Sequence, residues 1–433
     1  MRIRILGGLL GASLCLLGAS LWGCNAGGTM HTPSTVTKDA SGKMVTMPAP
    51  TTMPTTTPQH DAAAHVPPPS DPCIAAHNCA PGVWVNVTPP DVDLVNGSCS
   101  NYGTETVAVD PVRTQDVYTL FMCQGIWKST DFGQTWTGPI NTGKDGTTMG
   151  DCAGGVTIPP NSTASPPILY VSCIRGAGTG FWRSTNGGLD WTSYMVTPGG
   201  ARQDFYPSAV DPYDDQHLLM AGHEMNVLVQ SSNGGQTWTA VKTDAGMQEN
   251  GGTAFIQFID TGNATTTRDT WLWMAQVTGG TIGTWRTTNG GASWTHVDAN
   301  EHVHGSSQIY QPDNKGVVYM AGAYADSGWG ALRSADYGAT WMHVGQAQAE
   351  TVIFGTSRFV YCMHGGAAGA GEMVDPMLEL SPQPGIGSWT SPGTPAAMTQ
   401  GPAQVAVTNN GMYNVVLAAN WNAGMWRYVE PSQ

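Results

Sequence analysis

The residue types able to do chemistry fall at a few places along the chain. Asp151, Asp204, Glu224 and Glu301 are carboxylates standing apart from any charged run, and His302 follows the last of them in Glu301-His-Val-His304. A pair of carboxyl groups, one protonated and one ionised, can hydrolyse a glycosidic bond by flanking it. A histidine or tyrosine can instead abstract a proton beside a uronate carboxylate, with Arg175 or Arg202 neutralising that acid. His223, His302 and Tyr206 are the first groups to consider for this step. His302 and His304 alternate, so on a strand they face one side, and with His223 or His364 they can hold a transition metal. No short metal signature such as His-Glu-x-x-His is present. Channel histidines bonded to buried water account for the same pattern, so no metal and no cofactor is assigned. Trp329 and Trp421 are aromatics able to stack on sugar faces.

What positions such residues is a repeat. Five segments align without gaps: Ser129-Thr-Asp-Phe-Gly-Gln-Thr-Trp136, Ser184-Thr-Asn-Gly-Gly-Leu-Asp-Trp191, Ser231-Ser-Asn-Gly-Gly-Gln-Thr-Trp238, Thr287-Thr-Asn-Gly-Gly-Ala-Ser-Trp294 and Ser334-Ala-Asp-Tyr-Gly-Ala-Thr-Trp341. Self-similarity at a fixed period marks a repeat architecture. Each segment has the chemistry of a hairpin turn. Asp131, Asn186, Asn233, Asn289 and Asp336 are placed to accept a backbone N–H two residues on, closing an Asx-turn. The glycine two residues after each supplies the positive φ such a turn demands. The leading Ser or Thr can add a backbone bond, and the Trp anchors the return strand. These residues read as structural.

The motif resembles the Asp-box, or BNR repeat, of sialidases, sortilin-type receptors, xyloglucan-active endoglucanases and photosystem II assembly factors. The resemblance runs from about residue 82 to 429; it implies a β-propeller and says little of function. Trp389, after a degraded box, and Trp84 join the five box tryptophans to give seven anchors spaced 47 to 56 residues apart. The expectation is an all-β fold, a seven-bladed β-propeller of four-stranded blades. Gly424-Met-Trp-Arg-Tyr-Val429 reads as the third strand of a blade, and Val83 to Val87 can supply its fourth. An N-terminal strand then closes the last blade and removes the free sheet edges of an open ring.

In propellers the ligand face is formed by loops leading into each first strand and loops joining second strand to third, with the boxes on the opposite face. Repeat register puts Asp151, Arg202, Asp204, Tyr206, Glu301, His302, His304 and Glu350 at first-strand starts. It puts Arg175, His223, Glu224, Trp329, His364 and Trp421 in the second-to-third-strand loops. Ligand pockets combine such a polar set with a few aromatics. Sialidase activity is not expected, because the Phe/Tyr-Arg-Ile-Pro motif of those enzymes is absent.

Ahead of the repeats, residues 1–23 carry Arg2 and Arg4 and then an uncharged apolar run from Ile5 to Trp22, the pattern of a secretory signal peptide. The run ends in Leu21-Trp-Gly-Cys24, which resembles the bacterial lipobox. That resemblance implies a lipidated Cys24 and an exported chain held at the outer membrane or cell surface. Residues 24–81 are dominated by Thr, Pro, Ala and Ser and read as a disordered tether, which leaves 82–433 for the propeller.

Cys73 and Cys79 are close enough to close a small loop. Cys152 and Cys173 sit symmetrically about the turn at 159–167, opposite each other on two antiparallel strands, and Cys99 with Cys123 is a further pairing. The net charge of −14 argues against a nucleic-acid partner. No apolar run after Cys24 reaches the ~20 residues needed to span a bilayer, so membrane contact is expected through the lipid alone. A monomer is expected. Two functions stay open: a cell-surface protein that binds an extracellular ligand, a glycan before a protein, and a glycan-cleaving enzyme of glycosidase or lyase type. Spacing alone selects neither the reaction nor the ligand.

Overall fold

The structure, a computed structural model, describes residues 36–38, 44–46, 81–94, 103–225, 227–247, 253–276, 281–300, 308–322, 330–345, 350–364 and 378–431. Two compact units are present, Met1–His65 and Val66–Gln433. In the first, Val36–Lys38 pairs antiparallel with Met44–Thr46, a short ladder inside the stretch whose composition reads as a tether. Cys24, Cys73, Cys79 and Cys99 lie outside the described residues.

The second unit is a seven-bladed β-propeller. Blade one comprises Thr104–Val109, Val117–Phe121 and Ile126–Ser129, and its fourth strand is reduced to a bridge between Lys128 and Thr137. Blade two comprises Ala153–Thr157, Leu169–Arg175, Gly180–Ser184 and Thr192–Tyr194. Blade three comprises Ala209–Asp211, Asp214–Ala221, Leu228–Ser231 and Thr239–Ala240, and blade four Thr253–Phe258, Trp271–Gln276, Gly283–Thr287 and Thr295–Asp298. Blade five comprises Gln308–Tyr310, Val318–Ala321, Ala331–Ser334 and Met342–Val344. Blade six has Glu350–Gly355, Phe359–His364 and Leu378–Pro382, with a Leu380–Thr390 bridge in place of a fourth strand. Blade seven has Gln404–Asn409, Asn414–Asn420 and Gly424–Val429, and its outermost strand is Trp84–Asn86 from the N-terminal side.

That last pairing closes the ring. Trp84 lies opposite Tyr428 and Asn86 opposite Trp426, and Gly82 and Val87 donate to the carbonyls of Val429 and Met425, each at 2.9 Å. First strands touch between blades one and two, three and four, five and six, six and seven, and seven and one. Second strands are packed on both faces, so they read as unbroken apolar runs: Leu169 to Val171, Leu218 to Met220 and Val318 to Met320 are all 0% exposed. The core is accordingly a series of clusters between adjacent blades, one for each pair except blades four and five, which share two. Tyr118, Leu120 and Ile126 of blade one, for example, pack on Leu169, Val171 and Trp182 of blade two.

The boxes are hairpin turns between third and fourth strands, with a bonding pattern different from the Asx-turn read in the sequence. The side-chain acceptor reaches four residues on rather than two. Asp131 Oδ1 takes the Thr135 N–H at 2.9 Å, and Asn186, Asn233, Asn289 and Asp336 repeat this on residues 190, 237, 293 and 340. The leading hydroxyl takes the shorter-range donors. Ser129 Oγ accepts from Asp131 N and Gly133 N and donates to Asp131 Oδ1. Two consecutive residues have positive φ, Phe132 at 59° and Gly133 at 75°, so a left-handed pair is needed rather than a single glycine. The first of that pair donates to the turn between first and second strands, Phe132 N to Gln115 O at 3.0 Å and Gly187 N to Pro167 O at 3.1 Å. Boxes and first-to-second-strand turns therefore share one face. Cys152 and Cys173 are joined by a disulfide with their Cα atoms 5.4 Å apart. Cys123 is disulfide-bonded, and Cys362 is a buried thiol.

Candidate functional site

On the face opposite the boxes, blade three gathers four polar side chains. Arg202 and Asp204 precede its first strand, and His223 and Glu224 form the turn after its second. A bridge between Phe205 and Gly222 joins these two connections. Tyr206 N–H to Ala221 O and His223 N–H to Asp204 O, each 3.0 Å, complete the junction. The backbone thus forces the side chains together.

Arg202 grips Asp204 with Nε at 2.8 Å from Oδ1 and Nη2 at 2.9 Å from Oδ2. It also holds Glu224, through Nη1 to the backbone oxygen at 3.1 Å and Nη2 to Oε2 at 3.3 Å. The bond to Asp204 is the largest cause raising the Arg202 pKa. His223 Nδ1 lies 3.1 Å from Asp204 Oδ2. A carboxylate only accepts, so Nδ1 carries the proton and Nε2, 3.9 Å from Glu224 Oε1, is the basic nitrogen. The ring is 2% exposed, and burial lowers its pKa against the opposing pull of Asp204 and Glu224. His223 is therefore neutral at neutral pH.

Blade one adds a residue that the repeat register did not flag. Glu105, second in the innermost strand, lines a cavity of about 270 Å³ together with Thr106, Thr157, Ser208, Phe255 and Gln257. Burial pushes its pKa up to about 8, and the Arg175 charge offsets this only in part. Glu105 is thus a protonated carboxylic acid at neutral pH. Its sequence signal was a lone charge inside Thr104-Glu-Thr-Val-Ala-Val109, since a charged residue in a strand core is rare. Arg175, the exposed last residue of its strand, acts electrostatically on both Glu105 and His223. Among the described residues nothing hydrogen-bonds or ion-pairs with its guanidinium.

Other candidates fall elsewhere. The Asp151 carboxylate accepts the Ala177 N–H at 3.2 Å and holds the second-to-third-strand loop of blade two. Tyr206 is 3% exposed, packed on Phe255 at 4.8 Å and edge-on to His223 at 5.3 Å, so it is a wall residue rather than a ligand contact. Trp421 is 2% exposed and its backbone pairs with Thr104 across the blade seven–blade one junction. It cannot offer an open ring to a sugar. Glu301, His302, His304 and Trp329 lie outside the described residues, as does the side chain of His364, whose backbone pairs with Glu350. No group of three His, Cys, Asp or Glu among the described residues is arranged to hold a metal ion.

Fold and site together define a seven-bladed β-propeller with a charged, hydrogen-bonded cluster on the face away from its turn boxes. The chain is 28% identical over 173 residues to xyloglucanase Xgh74A of Acetivibrio thermocellus, covering 33% of this chain and 20% of that protein. It superposes on the GH74 xyloglucanase of Xanthomonas campestris with a TM-score of 0.55 at 15% identity, over 79% of this chain and 53% of that one. An ancestral GH74 enzyme gives 0.52 at 17% identity, over 78% and 45%. The chain spans a fifth of the length of its sequence relative and about half of these structures. At such identities the structural likeness is one of fold. No protein-family profile matches the chain.

Proposed function

We propose that this chain binds a polysaccharide on the face that carries Arg175, Arg202, Asp204, His223 and Glu224. The observation behind this reading is the Arg202–Asp204–His223–Glu224 network, whose partners fix one another before any ligand arrives. A sugar presents alternating donors and acceptors, and preorganised polar groups meet them without paying for reordering on binding. The xyloglucanase names of the similar proteins support a glycan as the ligand. The lipobox-like Leu21-Trp-Gly-Cys24 supports a lipid anchor at Cys24, so that the propeller acts as a monomer at the outer membrane or cell surface.

Affinity electrophoresis against neutral and acidic polysaccharides tests the reading. At least one polymer should retard the protein, and Asp204→Ala should weaken that retardation by about tenfold or more, the loss expected for a charged hydrogen-bonding group. A protein retarded by none of them does not have this function. Cleavage at the same face is the second reading. It is favoured by the protonated Glu105, an acid able to give a proton to a leaving oxygen.

A further inference from the structure

We infer that the cavity between the innermost strands is a binding site for a single neutral sugar unit, held by Glu105, Gln257 and Gln404. It is separate from the Arg202–Asp204–His223–Glu224 network, none of whose residues lines it, and it does not rest on the polysaccharide reading. Its lining comes from the first strands of blades one, two, three, four and seven and from the residues flanking them. Glu105 and Gln404 stand at the starts of their strands, while Pro160 lies beyond the end of the blade-two strand. The cavity therefore runs lengthwise along these strands, with its Glu105 end toward the face opposite the boxes.

The polar groups in this lining have capacity to spare. Glu105 is 9% exposed, and its carboxyl has neither a hydrogen bond nor an ion pair among the described residues. Gln404 Oε1 accepts the Val107 N–H at 2.9 Å, which leaves its Nε2 to donate elsewhere. The half-buried Gln257 carboxamide makes no hydrogen bond among the described residues. A polar group taken from water without a partner costs stability. Three such groups, brought to one cavity from blades one, four and seven, are the few convergent polar groups that mark a ligand pocket.

The lining also selects the ligand. A volume of about 270 Å³ falls just below the roughly 300–1,000 Å³ of pockets that take drug-sized ligands. One sugar ring suits that space better than an oligosaccharide. Carboxamides and a protonated carboxyl each both donate and accept, and so does every sugar hydroxyl. Phe255, Pro160 and Pro207 supply apolar walls for the C–H faces of the ring. Glu105 is the only titratable residue of the lining, so a uronate would enter with no cation there to meet it. Burial holds the Glu105 proton up to about pH 8, with the Arg175 charge opposing, so an amino sugar would meet no anion either. A neutral sugar is what remains.

Saturation-transfer NMR titrations of the full-length protein with D-glucose, D-galactose, D-mannose, D-xylose, D-glucuronate and D-glucosamine test the assignment. At least one neutral sugar should bind at pH 7, and neither charged sugar should bind as tightly. Glu105→Leu and Gln257→Leu nearly keep the volume and remove a polar group, so each should weaken that sugar by about fivefold or more. Glu105→Gln, which restores a donor and an acceptor, should recover most of the binding lost in Glu105→Leu. A ring seated on the carboxyl shuts out water and favours its protonated form, so the affinity of the parent should fall as pH rises past about 8. Glu105→Gln should lose that dependence. Arg175 is the charge that acts on Glu105, and the lining residues from the other blades are uncharged. The inference fails if no neutral sugar binds, if glucuronate or glucosamine binds more tightly, or if both leucine variants bind like the parent. Retardation by polysaccharides, read on the same preparation, reports the Arg202 network separately, so either reading can fail while the other stands.

Discussion

A carboxyl group kept protonated near neutral pH weakens a fold once the surroundings favour ionisation, and Glu105 is such a group. Its ordinary value is 4.5 and its folded value about 8. Below pH 4.5 both folded and unfolded chains hold the proton, and the contribution of Glu105 is fully present. Between 4.5 and 8 the unfolded chain releases the proton and the folded one does not, so stability falls as pH rises; above 8 the loss is complete. At roughly 1.4 kcal/mol per pH unit the total is on the order of a few kcal/mol. Glu105→Gln should therefore melt like the parent at pH 4 and at a higher temperature at pH 8. Equal melting temperatures at both pH values would show that the carboxyl ionises in contact with water. This residue also marks the limit of sequence reading. Arg202, Asp204, His223 and Glu224 were legible because the repeat register locates loops, but their partners were not, because pairing depends on which connections the Phe205–Gly222 bridge brings together. Tyr206 read as a ligand contact at a first-strand start and Trp421 as an open loop aromatic, yet Phe255 from the next blade covers one and the ring junction buries the other.

At the scale of the element, the box turn can be tested hydroxyl by hydroxyl. Ser231 Oγ accepts the Gly235 N–H and donates to Asn233 Oδ1, both at 2.9 Å. Ser231→Ala leaves that buried N–H without its acceptor and should cost about 1–3 kcal/mol. Ser231→Thr should restore most of the loss, since Thr287 makes the same bonds in blade four. Urea unfolding read as a shift in midpoint at constant slope would measure both. A wild-type midpoint for the alanine variant would mean that another group satisfies Gly235. The blade count was legible because each blade repeats one tryptophan anchor. The Asx-turn reading failed on backbone conformation: two successive left-handed residues curl the turn past the nearer N–H and deliver the donor four residues on. The reduced fourth strand of blade one carries no signal in its box, which is complete, whereas that of blade six follows the degraded box before Trp389.

At the scale of the whole molecule, closure and anchoring can be separated by deletion. Removing Gly82 to Pro89 takes away the outer strand of blade seven and exposes the Gly424–Val429 edge, so solubility and melting temperature should fall together. Removing Asn25 to His65 should change neither, and equal tolerance of the two deletions would show that closure adds no stability. Cys24→Ala should release the protein from the membrane fraction; unchanged detergent partitioning would rule out the lipid anchor. The closing pair also sets the timing of folding. Trp84–Asn86 is the first strand of the ring to be synthesised, and its partner arrives some 340 residues later. A nascent chain can stack blades one after another as they emerge, but it cannot lock the ring until Val429 has left the ribosome. Contacts at such separation form slowly. If the chain is exported as proposed, this delay keeps it loose enough to be threaded across a membrane, and the ring shuts only on the far side.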